Sequence, residues 1–320
     1  LPQNSYLPRL ADDRVGYFVT ALKDFSQKVD EERFVRYINR WQLEKADPSA
    51  AVSPPKKPIV FWIERTVPFR YRQAIRDGIE AWNGAFEKAG FSSAIEVRQQ
   101  PDVTDWDPED VNYNTFRWIT AGQSFAMGPS CAACMLFDGH ARETALAATA
   151  LAAEGGLSEE QKEKLVTQGL TFVAMHEVGH TLGLRHNFKG SALRSLADIN
   201  DVAKTAQAGA STSVMDYLPV NIMPKGRPQG DYYVPKLGPY DVWAIEYGYK
   251  PLTGTSPAAE LPELEKIAAR SGEPALAYAT DEDTEAGDPD PLSNRFDLGN
   301  DPLEFARTRA DLVAQVMPSI

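Results

Sequence analysis

His176-Glu-Val-Gly-His180-Thr-Leu-Gly183-Leu-Arg-His186 is the stretch on which the reading of this chain turns. It holds three of the chain's four histidines and matches H-E-x-x-H-x-x-G-x-x-H at every specified position. At about 100° per residue, His176 and His180 lie one turn apart on one helix face, so both imidazoles can reach a single ion at about 2.0–2.1 Å. Gly183 falls where the helix has to end and turn sharply. Glycine accepts a positive φ without steric cost, and the turn brings His186 back as a third ligand. Three neutral imidazoles leave a dipositive ion largely uncompensated and one position open, which lowers the pKa of a bound water and polarises a carbonyl. Glu177, next to the first ligand, is placed to take that water's proton. The spacing thus predicts Zn²⁺ on His176, His180 and His186 with Glu177 as general base; the bland alternative is a structural zinc site or an inactive relic.

Working outward, Ser158-Glu-Glu-Gln161 has the spacing of a capping box and predicts a long helix over about 159–183 that carries the motif. Upstream, Val15–Leu22 reads as a strand and Glu31–Leu43 as a helix. Ser53-Pro-Pro-Lys-Lys-Pro58 cannot continue a helix and reads as a linker. Ile59–Ile63 is a buried-strand candidate, and Ile75, Ile79, Trp82 and Phe86 form the stripe of an amphipathic helix over 70–89, closed by Gly90. Ala94–Val97, Thr115–Ile119 and the stretch 125–137 follow as strand candidates, and this order points to α+β or α/β. Beyond Pro224 the chain is richer in Pro, Gly and acidic residues. Helices are predicted near Tyr240–Tyr247, Leu261–Arg270 and Pro302–Val316.

The chain has 320 residues, 43% of them hydrophobic and 24% charged, long enough to bury a real core without a disulfide scaffold. Its formal charge of −12 argues against a broad phosphate-binding surface, so nucleic acid is not expected as a partner. The Ala-rich uncharged stretch Thr144–Ala153 is well short of the ~20 residues that span a bilayer. The opening LPQNSYLPRL lacks an initiator Met, a basic region and an apolar region, and reads as a processed product or a fragment. Cys131-Ala-Ala-Cys134 precedes a strand-like Met-Leu-Phe run rather than a helix, which favours a disulfide or inert thiols over a redox pair. His140 reads as a loop or surface residue. Asp281-x-Asp283-x-Glu285 fails the EF-hand template, with glycine at loop position seven and Leu292 at twelve, and reads as a solvated acidic loop. Gly122–Ala126 misses the last glycine of a serine-hydrolase elbow.

Ser213-Val-Met-Asp-Tyr217, about 30 residues past His186, completes a pattern that resembles the metzincin metallopeptidases, whose zinc motif is followed by a Met-turn of the form S-x-M-x-Y. FWIERTVPFRYRQAIRDGIEAWNGAFEKAGF (61–91), HEVGHTLGLRHNFKGS (176–191) and LGPYDVWAIEYGYKP (237–251) are similar to the bacterial Met-zincin family, over roughly residues 10–315. The resemblance implies that Met215 forms the floor under the zinc and that Tyr217 binds zinc or stabilises an oxyanion. It implies an α+β, metzincin-like catalytic domain with a mixed twisted sheet, two long helices and a less regular helical C-terminal subdomain. The division expected is an N-terminal segment 1–56, read as the end of an upstream region, a catalytic core 57–222 with its Met-turn at 213–217, and a C-terminal subdomain 223–320. An edge strand at Phe125–Ser130 would pair with extended substrate. The implied activity is a zinc-dependent endopeptidase acting on a protein or peptide substrate, in a secreted or periplasmic bacterial setting, with upstream or partner domains outside this chain. Asn187 stands where several metzincin subgroups carry Asp, Ser or Pro, so no subgroup specificity follows. Two other readings are a catalytically silent zinc-containing peptide-binding module and the catalytic chain of a multi-subunit toxin.

Overall fold

A computed structural model describes residues 6–23, 34–102, 107–118, 133–153, 156, 158–234, 236–285 and 290–319. The chain opens with a hairpin of β1 (Val19–Lys23) and β2 (Phe34–Ile38), paired antiparallel from Val19 opposite Ile38 to Lys23 opposite Phe34. This corrects the helix expected over Glu31–Leu43. Phe-Val-Arg-Tyr-Ile is rich in β-branched and aromatic residues, and its pairing with β1 outweighs an apolar spacing that also fits a helix. Val15 and Tyr17, expected within the strand, lie just before it in the core.

Strand β3 (Ile59–Ile63) alternates buried and half-buried residues, with Ile59, Phe61 and Ile63 directed into the core. The helix expected over 70–89 is two helices, α1 (Arg72–Glu80) and α2 (Trp82–Ala89), meeting at Ala81. Gly90 closes the second at φ 100°, as expected of a glycine C-cap. Strands β4 (Ile95–Gln99) and β5 (Asn114–Phe116) flank β3 in the order β4-β3-β5, each parallel to it. The expected edge strand at Phe125–Ser130, the elbow-like Gly122–Ala126 and Cys131 fall outside the described residues. Met135–Phe137 belong not to a strand but to α3 (Ala133–Ala153), which also carries Cys134 and His140.

Helix α4 (Glu159–Thr181) begins at the predicted capping box: the Ser158 hydroxyl accepts from Gln161 N–H, and the Gln161 side chain accepts from Ser158 N–H. It packs on α1 and α2, where Trp82 Nε1 donates to the Met175 carbonyl at 3.0 Å and Thr171 Oγ1 donates to that of Ala74, also at 3.0 Å. Short helices α5 (Leu196–Ile199) and α6 (Val202–Ala208) follow, then α7 (Pro239–Tyr249), α8 (Pro257–Ala268), α9 (Asp281–Glu285) and α10 (Pro302–Val316). Helices mixed with a small sheet make the fold α+β. No helix among the described residues is long and apolar enough to cross a membrane.

The N-terminal segment is tied to the rest of the molecule. Arg9 forms a buried ion pair with Glu260 of α8 at 3.0 Å, and Tyr17 donates to the Ala244 carbonyl of α7 at 2.8 Å. Ser53, in the stretch read as a linker, bridges to Phe91 and is buried. The end of α4 depends on these contacts. A helix leaves its last carbonyls without intrahelical donors. Here Trp41 Nε1 serves Thr181, Tyr249 Oη serves Leu182, each at 2.8 Å, and Phe18 N–H serves Gly183, at 2.8 Å.

Candidate metal centre

Two glycines shape the motif. Gly183 has φ 99°, and a Cβ there would stand 1.9 Å from the Asn39 carbonyl oxygen, so both its backbone conformation and the approach of the N-terminal segment exclude a side chain. Gly179, an unspecified position of the motif, faces the Met-turn. A Cβ on it would lie 2.3 Å from Met215 Sδ and 2.8 Å from the Trp82 ring. The fully buried Met215 thus packs directly beneath α4 between the two ligand histidines, against a glycine that makes room for it.

His176, His180 and His186 come together with candidate ligand atoms all within 4.8 Å of one another. Each Nδ1 faces an oxygen: Val214 O at 2.7 Å from His176, Leu184 O at 2.8 Å from His180, and the Asp281 carboxylate at 3.0 and 3.1 Å from His186. Those oxygens are acceptors, so each Nδ1 carries the proton and each Nε2 presents a lone pair. The Nε2 atoms of His176 and His180 are 3.1 Å apart, close to the roughly 3.3 Å expected of two nitrogens on one tetrahedral zinc. His186 Nε2 is buried with no hydrogen-bond partner among the described residues. Ring nitrogens converging on one place, one of them buried without a hydrogen-bond partner among the described residues, fit a cation there. Burial and then the charge of His186 push His180 down to about 4, which keeps that ring neutral, the form a metal requires.

Glu177 has a buried Oε1 without a partner among the described residues, and burial alone pushes its carboxyl up to about 7. A carboxyl so poised can both take and return a proton near neutral pH. The Tyr217 ring is buried edge-on to His186 with centroids 4.5 Å apart, and is flanked by Phe188 and Phe296 at 5.3 and 5.6 Å.

Two further residues serve this site although the sequence reading gave neither of them a role in it. Asp281 sits in a short helix, not the solvated acidic loop expected, and its carboxylate receives His186 Nδ1–H. Burial would raise its pKa, but the hydrogen bond from His186 and the charges of His186, Arg295 and Arg185 hold it below the ordinary carboxylate range. A carboxylate behind a ligand histidine fixes the ring and raises its basicity. Asp241, fully buried on α7, holds the Met-turn: it accepts from Ser213 Oγ at 2.7 Å, Val214 N at 2.9 Å and Gly238 N at 2.8 Å. Val214, whose N–H is so held, supplies the carbonyl that orients His176. Acidic residues were visible in the sequence at both positions, yet nothing in it joins residue 281 to 186 or 241 to 214.

Residues 1–46 match a family model described as a domain of unknown function. No curated protein matches the chain, and no solved structure matches it. The family model described as Met-zincin matches residues 158–320, a span that starts at the helix carrying the histidines and takes in the Met-turn and the helix that holds it. With that match over more than half the chain and three imidazoles converging on one point, the chain belongs to the Met-zincin family of zinc metallopeptidases.

Proposed function

We propose that the protein is a zinc endopeptidase in which Glu177 is the general base and later the general acid. The observation that carries this reading is the convergence of three histidine ligand atoms on one point, with Glu177, the residue after the first of them, holding a buried carboxyl oxygen that has no partner among the described residues. His176, His180 and His186 would hold the zinc, whose Lewis acidity lowers the pKa of a water and polarises a scissile carbonyl. Glu177 takes a proton from the attacking water and delivers it to the departing amine nitrogen. Burial alone pushes its carboxyl up to about 7, away from the ordinary carboxylate range and toward one in which it can also hold a proton. Tyr217, packed against His186, is assigned to stabilise negative charge developing on the carbonyl oxygen. Asp281 and the Val214 and Leu184 carbonyls keep the three rings oriented through the cycle. Action outside the cytoplasm is part of this proposal and is supported by the sequence resemblance.

The test is cleavage of a diverse quenched-peptide library by zinc-loaded protein, with Glu177→Ala beside it. Wild type should cut within peptides, and the variant should bind zinc equally while losing nearly all turnover. A Glu177→Ala protein with wild-type turnover refutes the assigned base. A wild type that binds zinc and cuts nothing refutes the endopeptidase.

A further inference from the structure

A cleft of about 420 Å³ opens beside the metal centre, and the N-terminal segment forms most of it. His180 and Thr181 line one side; Tyr6, Phe18, Arg40 and Trp41 line the other. The Phe18 ring lies 5.8 Å from that of His180. Trp41 is held by its indole N–H on the Thr181 carbonyl at 2.8 Å, so this wall is anchored to the end of the ligand-bearing helix.

No carboxylate is found among the described residues that line the cleft, and apart from His180 its charge comes from Arg40. Arg40 donates through Nη2 to the Leu7 carbonyl at 2.7 Å and, at the longer distance of 3.5 Å, through Nη1 to the Trp41 carbonyl, and it lies over the Tyr6 ring at 5.2 Å. Its Nε is buried with no partner among the described residues. The carboxylate of Glu260 is already taken by Arg9, through contacts at 3.0 and 3.3 Å. Burial, and then the charge of Arg9, push the Arg40 pKa down, outweighing Tyr6, Tyr249 and Glu260, which act the other way. Aromatic walls, a forked cation and no anion complement a carboxylate carried on a short aliphatic stem.

We infer that this cleft is a substrate subsite that receives an acidic side chain of the bound peptide, with Arg40 as its specificity-determining residue. The inference rests on the peptidase reading for its occupant, since a groove continuous with a metal ligand is where a peptide at the metal would pass. It also gives the N-terminal segment a role in choosing the substrate.

Binding separates this inference from the chemistry. Zinc-loaded Glu177→Ala protein is titrated with two fluorescent peptide pools that differ only in Glu or Gln at one randomised-neighbour position, scanned along the peptide. At one position the Glu pool should bind about tenfold more tightly, the scale of a hydrogen bond to a charged group. Adding Arg40→Met should abolish that discrimination, whereas Arg40→Lys should keep part of it. Because Arg40 also braces Leu7, salt provides a check without touching the fold: discrimination in the Arg40 protein should shrink as salt is raised. No preference for Glu at any position, or a preference that survives both Arg40→Met and high salt, overturns the inference. Discrimination at Arg40 in a protein whose wild type never cleaves would leave the subsite standing and remove the peptidase; cleavage without discrimination does the reverse.

Discussion

Replacing Asp281 by Ala should weaken zinc binding without unfolding the protein. Asp281 receives His186 Nδ1–H at 3.0 and 3.1 Å on its two oxygens and so fixes the tautomer of a ring that Tyr217 and Phe188 pack against. Loss of such a partner behind a ligand histidine typically costs about 10–100-fold in metal affinity. The Asp281 side chain is 29% exposed, so water screens part of its charge, and we expect the lower end: about tenfold, or ~1.4 kcal/mol. Arg295 and Arg185, 3.3 and 3.9 Å from the Asp281 carboxylate, would lose their shared anion and leave uncompensated positive charge that opposes a dication. Asp281→Asn separates the two contributions, since an amide oxygen still accepts from Nδ1 but carries no charge; its loss should be smaller than that of Ala. Glu282→Gln is the control: Glu282 pairs with Arg185 at 2.6 Å, is 69% exposed and has no bond to His186, so its zinc affinity should match wild type. The assay is competition for zinc against a chelating dye at fixed pH, with the melting temperature of each zinc-free variant measured alongside. Wild-type zinc affinity in Asp281→Ala would refute the reasoning, and so would an equal loss in Glu282→Gln.

Gly179→Ala should destabilise the fold by about 1–3 kcal/mol through overpacking against Met215 and Trp82; chemical denaturation checks it, and a neutral change would mean that the Met-turn does not press on α4. Zinc removal by EDTA should lower the melting temperature, and readdition should restore it, because a ligand bound only by the folded state stabilises it in proportion to the logarithm of its concentration; a melting point insensitive to chelator would count against a bound metal. Burial pushes Asp241 from an ordinary 3.8 up to about 7, against three hydrogen bonds that favour its ionised form. A raised carboxylate pKa means that the folded chain holds a proton the unfolded chain releases, so this contribution to stability declines as pH rises from about 4 to about 7. Asp241→Asn cannot ionise, so its stability deficit relative to wild type should narrow over that range; a gap that is constant or widens in denaturation curves at the two ends contradicts the sign.

What the sequence determined by itself was everything carried by local spacing. The capping box at Ser158, the one-turn separation of His176 and His180, and the positive-φ glycine at Gly183 are properties of a helix and its ends, written in neighbouring residues. The core strand Ile59–Ile63 and helix α10 were legible for the same reason, since their apolar periods match their final structures. Tertiary structure decided wherever a local pattern had two readings or a partner lay far along the chain. Phe34–Ile38 could satisfy a helical stripe, but pairing with Val19–Lys23 made it a strand. Met135–Phe137 reads as a strand in isolation and is helical in place. Asp281 lies 95 residues from His186, and Asp241 lies 27 from Val214. The bonds between them exist because distant segments fold against α4 and exclude water, and burial turns an ordinary acidic residue into a positioning group. The wall that Arg40 and Trp41 build beside His180 belongs to this second kind: its chemistry is in the sequence, but its place beside the metal is made only by the approach of the N-terminal segment to Gly183.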